Sequence, residues 1–255
     1  MDATERAAPG VKSATRTVAL LDFFARQGGM YSLTEIQQEL GYPKSSLYAL
    51  LRTLVQLGWV ETDPTGTLYR IGMRALLVGA SYIDGDPVVG MAHEVLDWLA
   101  EATGETVHFG RLDDYDVVYL SSRPSRHNLR PVIRVGRRVP AHSTSLGKAL
   151  LADRPDPVLR EALERQTAHT ITDQDDLRAE LRHVRERGHA IDREENTSGV
   201  CCFGVALRLQ RPARDAISVS VPAIRLDDAR EREISALLLQ ARERIEYAAY
   251  HLIHP

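Results

Sequence analysis

The spacing of apolar residues changes several times along this chain, and each change marks an element. Residues 14–27 (ATRTVALLDFFARQ) have helical spacing that turns Val18, Leu21 and Phe24 inward. Ser32-Leu33-Thr34-Glu35 is a capping box: the Ser32 hydroxyl accepts from the Glu35 amide, and the Glu35 carboxylate accepts from the Ser32 amide. The helix it opens runs to Leu40, where Gly41 supplies a left-handed end. Pro43 suits the first turn of the next helix. From Lys44 to Leu57, the side chains of Leu47, Leu50, Leu51, Leu54 and Leu57 share one face. The period then drops to two, with β-prone runs Trp59–Thr62 and Thr67–Ile71 around the turn sequence Asp63-Pro64-Thr65-Gly66. Helix, tight turn, helix and hairpin in that order predict a winged helix-turn-helix, a shape whose second helix fits the major groove of DNA.

A second apolar stripe, Met73, Leu76, Leu77, Ala80 and Ile83, lies outside that core. It predicts a linker helix that pairs with its copy in another subunit; a helix docked on its own domain is the alternative. Asp84-Gly85-Asp86-Pro87 breaks it. The expected division is a disordered tail over 1–12, a winged helix over 13–72, a linker over 73–85 and a second domain over 86–255. That domain is expected to hold helices at 87–102, 146–152, 156–166, 175–187 and 227–252. Strands are expected at 105–111, 116–121, 131–136, 189–193, 200–209 and 215–222. Mixed elements with hairpin-like neighbours predict an α+β domain on a largely antiparallel sheet.

Composition narrows the class. The 255 residues are 44% hydrophobic and 26% charged with a net charge of −3, so nothing pulls the whole chain toward nucleic acid or membrane. Without a signal peptide or an apolar run of 18 residues, a cytoplasmic location away from the membrane is expected. Cys201 and Cys202 are the only cysteines, which excludes a disulfide framework. Neither HExxH nor CxxC occurs, so no metal or other cofactor is expected. Residues 1–71 carry seven Lys/Arg and seven Asp/Glu, so any DNA-binding charge is local and a dimer has to supply a second contact surface.

Candidate chemistry falls in two places. On the second helix of the winged unit, Lys44, Ser45, Ser46, Tyr48 and Arg52 offer cations and hydroxyls, and no acid intervenes between Tyr42 and Val60. Such groups bond phosphates and base edges, although an ordinary solvated face has the same make-up. Arg70 in the wing is placed to touch backbone or minor groove. In the second domain, residues 141–148 (AHSTSLGK) read as a strand end turning into a helix capped by Thr144 or Ser145. The free amides of such a start bind carboxylate or phosphate; a capped helix and nothing more is the alternative. His142 and Ala149 stand where a P-loop requires Gly and Ser/Thr. Ser218 and Ser220 alternate with Ile217, Val219 and Val221, so both hydroxyls share a face, either of a ligand pocket or of an exposed edge strand. Asp192, near Ser198-Gly199-Val200, suits a ligand hydroxyl or a surface turn, and at most one of the two vicinal cysteines faces a pocket. A triad of Cys202, His142 and Asp192 would need contacts that the sequence does not provide, so no catalytic residue is assigned.

With these segments in place, the chain resembles the IclR family of bacterial transcription regulators over nearly its whole length. The stretches that carry the resemblance are SLTEIQQELGYPKSSLYALLRTLVQLGWVE, GETVHFGRLDDYDVVYL, RVPAHSTSLGKALLA, RERGHAIDREENTSGVCCFGVAL and AISVSVPAIRL, in family order. The resemblance implies a winged helix, a dimer-forming linker helix and a C-terminal GAF/PAS-like effector-binding domain. It also implies a homodimer or dimer of dimers on a palindromic double-stranded operator, regulating (usually repressing) a catabolic operon. The effector would be a small organic acid of the keto, sugar or aromatic kind, and the protein would not be an enzyme. A repressor that ignores effectors and uses its second domain only for assembly is the alternative. The family pattern places the effector carboxylate at Ser145 and Leu146, with Asp192, Cys202, Ser218 and Ser220 around it. It places DNA contacts at Ser45, Ser46, Tyr48 and Arg52, with Arg70 in the wing. Two stretches depart from it. Cys202-Phe203-Gly204-Val205 stands where many relatives have small residues and a proline, and residues 122–130 are unusually basic. Arg123, Arg126 and Arg130 there are placed to reach a more anionic effector or a partner subunit.

Overall fold

A computed structural model describes residues 11–131 and 134–253. The chain divides into two compact units, with the boundary between Gly85 and Asp86.

The first unit comprises α1 (Lys12–Gln27), β1 (Tyr31–Ser32), α2 (Leu33–Leu40), α3 (Lys44–Gln56), β2 (Val60–Thr62), β3 (Leu68–Ile71) and α4 (Met73–Asp84). Its sheet is antiparallel in the order β1-β3-β2. The Ser32–Glu35 capping box forms in both directions, and Gly41 ends α2 in the left-handed region at φ +67°. At the wing tip the Asp63 carboxylate accepts from the Thr65 hydroxyl and from the amides of Leu68, Thr67 and Thr65, which fixes the turn and holds its own pKa down to about 2. Leu20, Phe23, Phe24, Ile36, Leu47, Leu51 and Leu54 form the core.

Three expectations for this unit need correction. Lys12 already belongs to α1, so the expected tail over 1–12 runs too far; its residues 1–10 lie outside the described residues. Val18 is 57% exposed, because Phe23 points inward to meet Phe24 and Tyr31 edge to face and brings Leu20 in with it. Leu57 is exposed because α3 ends at Gln56. The linker helix α4 buries none of its residues: Met73, Leu76, Leu77, Val78 and Tyr82 are all more than half exposed.

The second unit comprises α5 (Pro87–Thr103), β4 (Thr106–Asp113), β5 (Asp116–Arg123), β6 (Arg138–Pro140), α6 (Ser145–Ala152), α7 (Gln174–Arg187), β7 (Ala190–Arg193), β8 (Val200–Leu207), β9 (Asp215–Pro222) and α8 (Asp228–Ile253). Its six-stranded sheet is antiparallel throughout, in the order β6-β5-β4-β9-β8-β7. No helix forms over 156–166. The carbonyls of Arg160 and Glu161, which a helix would use internally, are instead taken by Gln174, and that of Glu164 is bonded to His142. The strand expected over 131–136 is not found where it can be described. Val132 and Ile133 lie outside the described residues, Arg134–Arg137 make a turn, and pairing begins at Arg138.

Helix α6 is buried along all eight residues and packs against β8 and β9. Two glycines permit this. A Cβ on Gly204 would lie 2.6 Å from the Ser145 backbone, and one on Gly147 would lie 2.1 Å from the Ala141 carbonyl oxygen. Neither distance is tolerable, and both obstacles are backbone. Gly204→Ala is therefore expected to destabilise the protein by about 1–3 kcal/mol, in the range of overpacked cores, and to lift the start of α6 from the strand. Urea unfolding measures this, and an unchanged midpoint would contradict the packing described.

Candidate effector pocket and DNA-facing helix

Thr144 caps α6: its Oγ1 accepts the Gly147 amide at 3.1 Å and its carbonyl accepts the Lys148 amide at 2.8 Å. Ser145 and Leu146 open the first turn, where amides have no acceptor within the helix and carry its positive end. In front of them lies a cavity of about 140 Å³ lined by Ser145, Leu146, Asp192, Cys202, Ser218 and Ser220, among others. Strand register accounts for the convergence. Asp192 stands opposite Cys202, and Cys202 opposite Ser220, with Ser218 two residues further along on the same face. The Cys202 thiol is 3.1 Å from the Ser220 hydroxyl, while Cys201 takes the other face. Strand β9 is interior, not an edge, and Ser218, Ser220 and Asp192 are each 2% exposed, which removes the solvent-face and surface-turn alternatives.

Tyr119, Arg137, Thr144, Asn196 and Thr197 also line the cavity. Of these, sequence reasoning named Thr144 as a cap and missed the rest. Arg137 brings a cation to the rim, a role expected of Arg123, Arg126 or Arg130. None of those three lines the pocket: Arg123 pairs with Asp97 and Ser121, Arg130 donates to the His127 carbonyl, and Arg126 lies against Gly104. Arg137 is two residues before Val139, which also lines the cavity, but no local signal marked it.

Burial sets the electrostatics. The Asp192 carboxyl is pushed up to about 7, first by burial and then by the Glu195 charge, against the pull of the Glu195 and Asn196 amides and of Lys148. Burial and the neighbouring Asp192 raise the Cys202 thiol well above its ordinary value, so it stays protonated and is no nucleophile. His142 turns away, its Nε2 3.0 Å from the Glu164 carbonyl, and the imagined triad does not assemble. Among the described residues no group of three His, Cys, Asp or Glu is arranged to hold a metal. Lys148, 1% exposed, donates to Glu195 and to the Ile191 carbonyl, tying β7 and the turn after it to α6. His108, which burial lowers to about 3, bonds Ser122 through Nδ1 and stacks edge-on against Tyr119.

In the first unit, Lys44, Ser45, Tyr48 and Arg52 are exposed on α3. Ser46 is half-buried, and its hydroxyl accepts from Arg16 Nη1 at 2.9 Å. Arg70 pairs with Glu61 at 2.8 Å, so part of its charge is already neutralised within the wing.

A winged helix-turn-helix followed by an α+β domain with a cavity at a helix start, lined in part by buried hydroxyls, defines the class: a two-domain regulator of transcription. The model of the IclR helix-turn-helix domain matches residues 13–64, and that of the bacterial transcriptional regulator IclR C-terminal domain matches residues 80–247. The chain belongs to the IclR family of bacterial transcription regulators. It is 31% identical over 254 residues to the transcriptional repressor IclR of Escherichia coli (strain K12), covering 96% of this chain and 93% of that protein. The crystal structure of a transcriptional regulator from Alicyclobacillus acidocaldarius superposes with a TM-score of 0.83 at 26% identity, covering 94% of this chain and all of that one. An IclR homolog from Microbacterium hydrocarbonoxydans, crystallised with 4-hydroxybenzoate, shares the fold with a TM-score of 0.77 at 20% identity, covering 94% and 99%. The matched families and the named relatives are regulators of transcription, not enzymes.

Because the Asp192 pKa is raised in the folded state, the stability it contributes is full below about pH 4 and is lost as pH rises through about 7. Asp192→Asn keeps an oxygen for the Glu195 amide. Its stability relative to the parent is expected to improve between about pH 4 and 7 and then to level off. Urea midpoints at about pH 5 and pH 8 test this, and an equal difference at both would contradict it.

Proposed function

We propose that this protein is an effector-controlled repressor in the cytoplasm that binds a palindromic operator as a dimer and releases it when a small hydroxylated organic acid fills the α6 pocket. The observation that carries this reading is the cavity itself. It joins the start of α6 to the buried side chains of Asp192, Ser218 and Ser220. The ligand carboxylate would sit at the amides of Ser145 and Leu146, within reach of Arg137 at the rim. Ser218, Ser220 and a protonated Asp192 would bond its hydroxyl or keto oxygens. Apolar surface from Pro131, Val139, Leu146 and Val200 lies beside these polar groups, which suits an organic acid with a short carbon skeleton of the keto, sugar or aromatic kind. An ionised Asp192 would repel the carboxylate, so affinity should fall as pH rises through about 7.

The exposed apolar side chains of α4 support pairing with a second copy. Two recognition helices then read half-sites one helical turn of DNA apart, roughly 34–36 Å. Lys44, Ser45, Ser46, Tyr48 and Arg52 supply the contacts, and Arg70 steadies the wing through Glu61. Effector switches the protein only to the extent that it binds one dimer arrangement better than the other.

A thermal-shift screen against keto, sugar and aromatic acids tests the pocket. A ligand at a hundredfold excess over its Kd stabilises by about 2.7 kcal/mol, a shift of several degrees. Ser218→Ala should weaken that ligand about tenfold. No shift from any acid, or a shift that Ser218→Ala leaves intact, would point to a second domain used only for assembly. On the DNA side, Arg52→Ala should reduce operator affinity by about tenfold and flatten its salt dependence; an unchanged dissociation constant would remove Arg52 from the interface.

A further inference from the structure

We propose a second ligand site in the C-terminal unit, for a small oxyanion (a carboxylate or phosphate on a short apolar stem), at the opposite end of α6 from the effector pocket. Strand β7 begins at Ala190, opposite Gly204, while β8 continues through Val205, Ala206 and Leu207 with no β7 residue beside them. The gap is a cavity of about 320 Å³, bordered by the C-terminal ends of α6 and α7 and by α8. Ala149, Ala152, Val184 and Ala206 give it an apolar floor, and Arg208, Arg242 and His189 give it polar walls.

The C-terminal end of a helix normally repels anions. At the end of α6 carbonyls are already covered: Arg185 donates to Ala152 and Arg154, and Arg154 donates to Leu150. Asp153, the acid among the lining residues, accepts the Ala213 amide at 2.7 Å and stands 3.7 Å from Arg208. Glu246 takes the backbone amide of Arg208 and lies 4.0 Å from Arg242 Nε. Behind this lining Arg242 Nε and His189 Nδ1 are buried without a hydrogen-bond partner, and the ion pairs of Arg208 and Arg242 are long, at 3.7 and 4.0 Å. His189 is 8% exposed, and its other ring nitrogen is engaged with Ser235. Guanidinium groups with unused donors over an apolar floor match a two-oxygen anion on an apolar stem, which they hold bidentately.

Both cavities share the same two elements. Helix α6 spans about 12 Å from one to the other, and β8 places Cys202 in the first and Ala206 in the second. A ligand at either end therefore loads the packing that shapes the other, and any coupling of their affinities is reciprocal.

Isothermal titration of the full-length protein with inorganic phosphate, phosphoglycolate and succinate tests the site. The expected result is saturable binding of at least one probe, weakened about tenfold by the Arg208→Gln/Arg242→Gln double variant and left unchanged by Ser218→Ala. Arg242→Lys keeps the charge and should bind with intermediate affinity, which decides the matter if the double variant fails to fold. No saturable binding of any probe, or equal affinity in the parent, the double variant and Arg242→Lys, would overturn the proposal. Binding lost in Ser218→Ala and retained in the double variant would place the anion in the effector pocket and also overturn it.

Discussion

The seating of α6 directly on β8 is the contact on which the rest of the C-terminal unit depends. With Gly204 beneath Ser145 and Gly147 against Ala141, the helix start approaches the sheet more closely than any side chain would permit. That approach brings the amides of Ser145 and Leu146 to the same cavity as Cys202, Ser218 and Ser220. It also draws Lys148 inside, where its charge is balanced by Glu195. A buried pair of this kind adds little net stability, but losing one partner typically costs about 3–5 kcal/mol. Its effect is positional, holding the end of β7, and Asp192 with it, at the pocket.

Burial then gives the pocket its chemistry. A carboxyl enclosed beside Glu195 resists ionisation, and a thiol enclosed beside that carboxyl does too, so Cys202 is a donor at neutral pH and Asp192 becomes one as pH falls below about 7. Serine hydroxyls from an interior strand complete a lining able to bond oxygen atoms. Sequestered hydrogen bonding of this kind suits recognition of a ligand. Attack on one would need an activated nucleophile, and burial denies that to Cys202.

Local chemistry made the first unit readable from its residues. Its capping box, left-handed Gly41 and Asp63 turn are set by neighbours a few positions away, and the structure places them as expected. The pocket residues were recognisable by type and period. What the serines faced depended on β9 lying between β4 and β8, a pairing that no spacing within the strand encodes. The failures share that origin. Val18 lost its inward place to an aromatic cluster that includes Tyr31, and Ser46 and Arg70 were engaged by Arg16 and Glu61. The stretch 156–166 has a helix-like sequence, but distant side chains claimed its carbonyls. Arg137 carried no local mark, because its place at the rim comes from a turn closed on the Arg134 carbonyl and held by the Tyr119 amide of β5.

The most direct test of the account is operator affinity measured with and without effector. Fluorescence anisotropy on a duplex selected by the protein from a random library would be run on the parent and on the Ser218→Ala/Ser220→Ala variant. The account predicts that a hydroxylated acid lowers the parent's operator affinity by about tenfold or more, and that the variant holds the operator equally well with or without it. An operator affinity indifferent to every acid that binds the pocket, or a response that survives the double substitution, would contradict it.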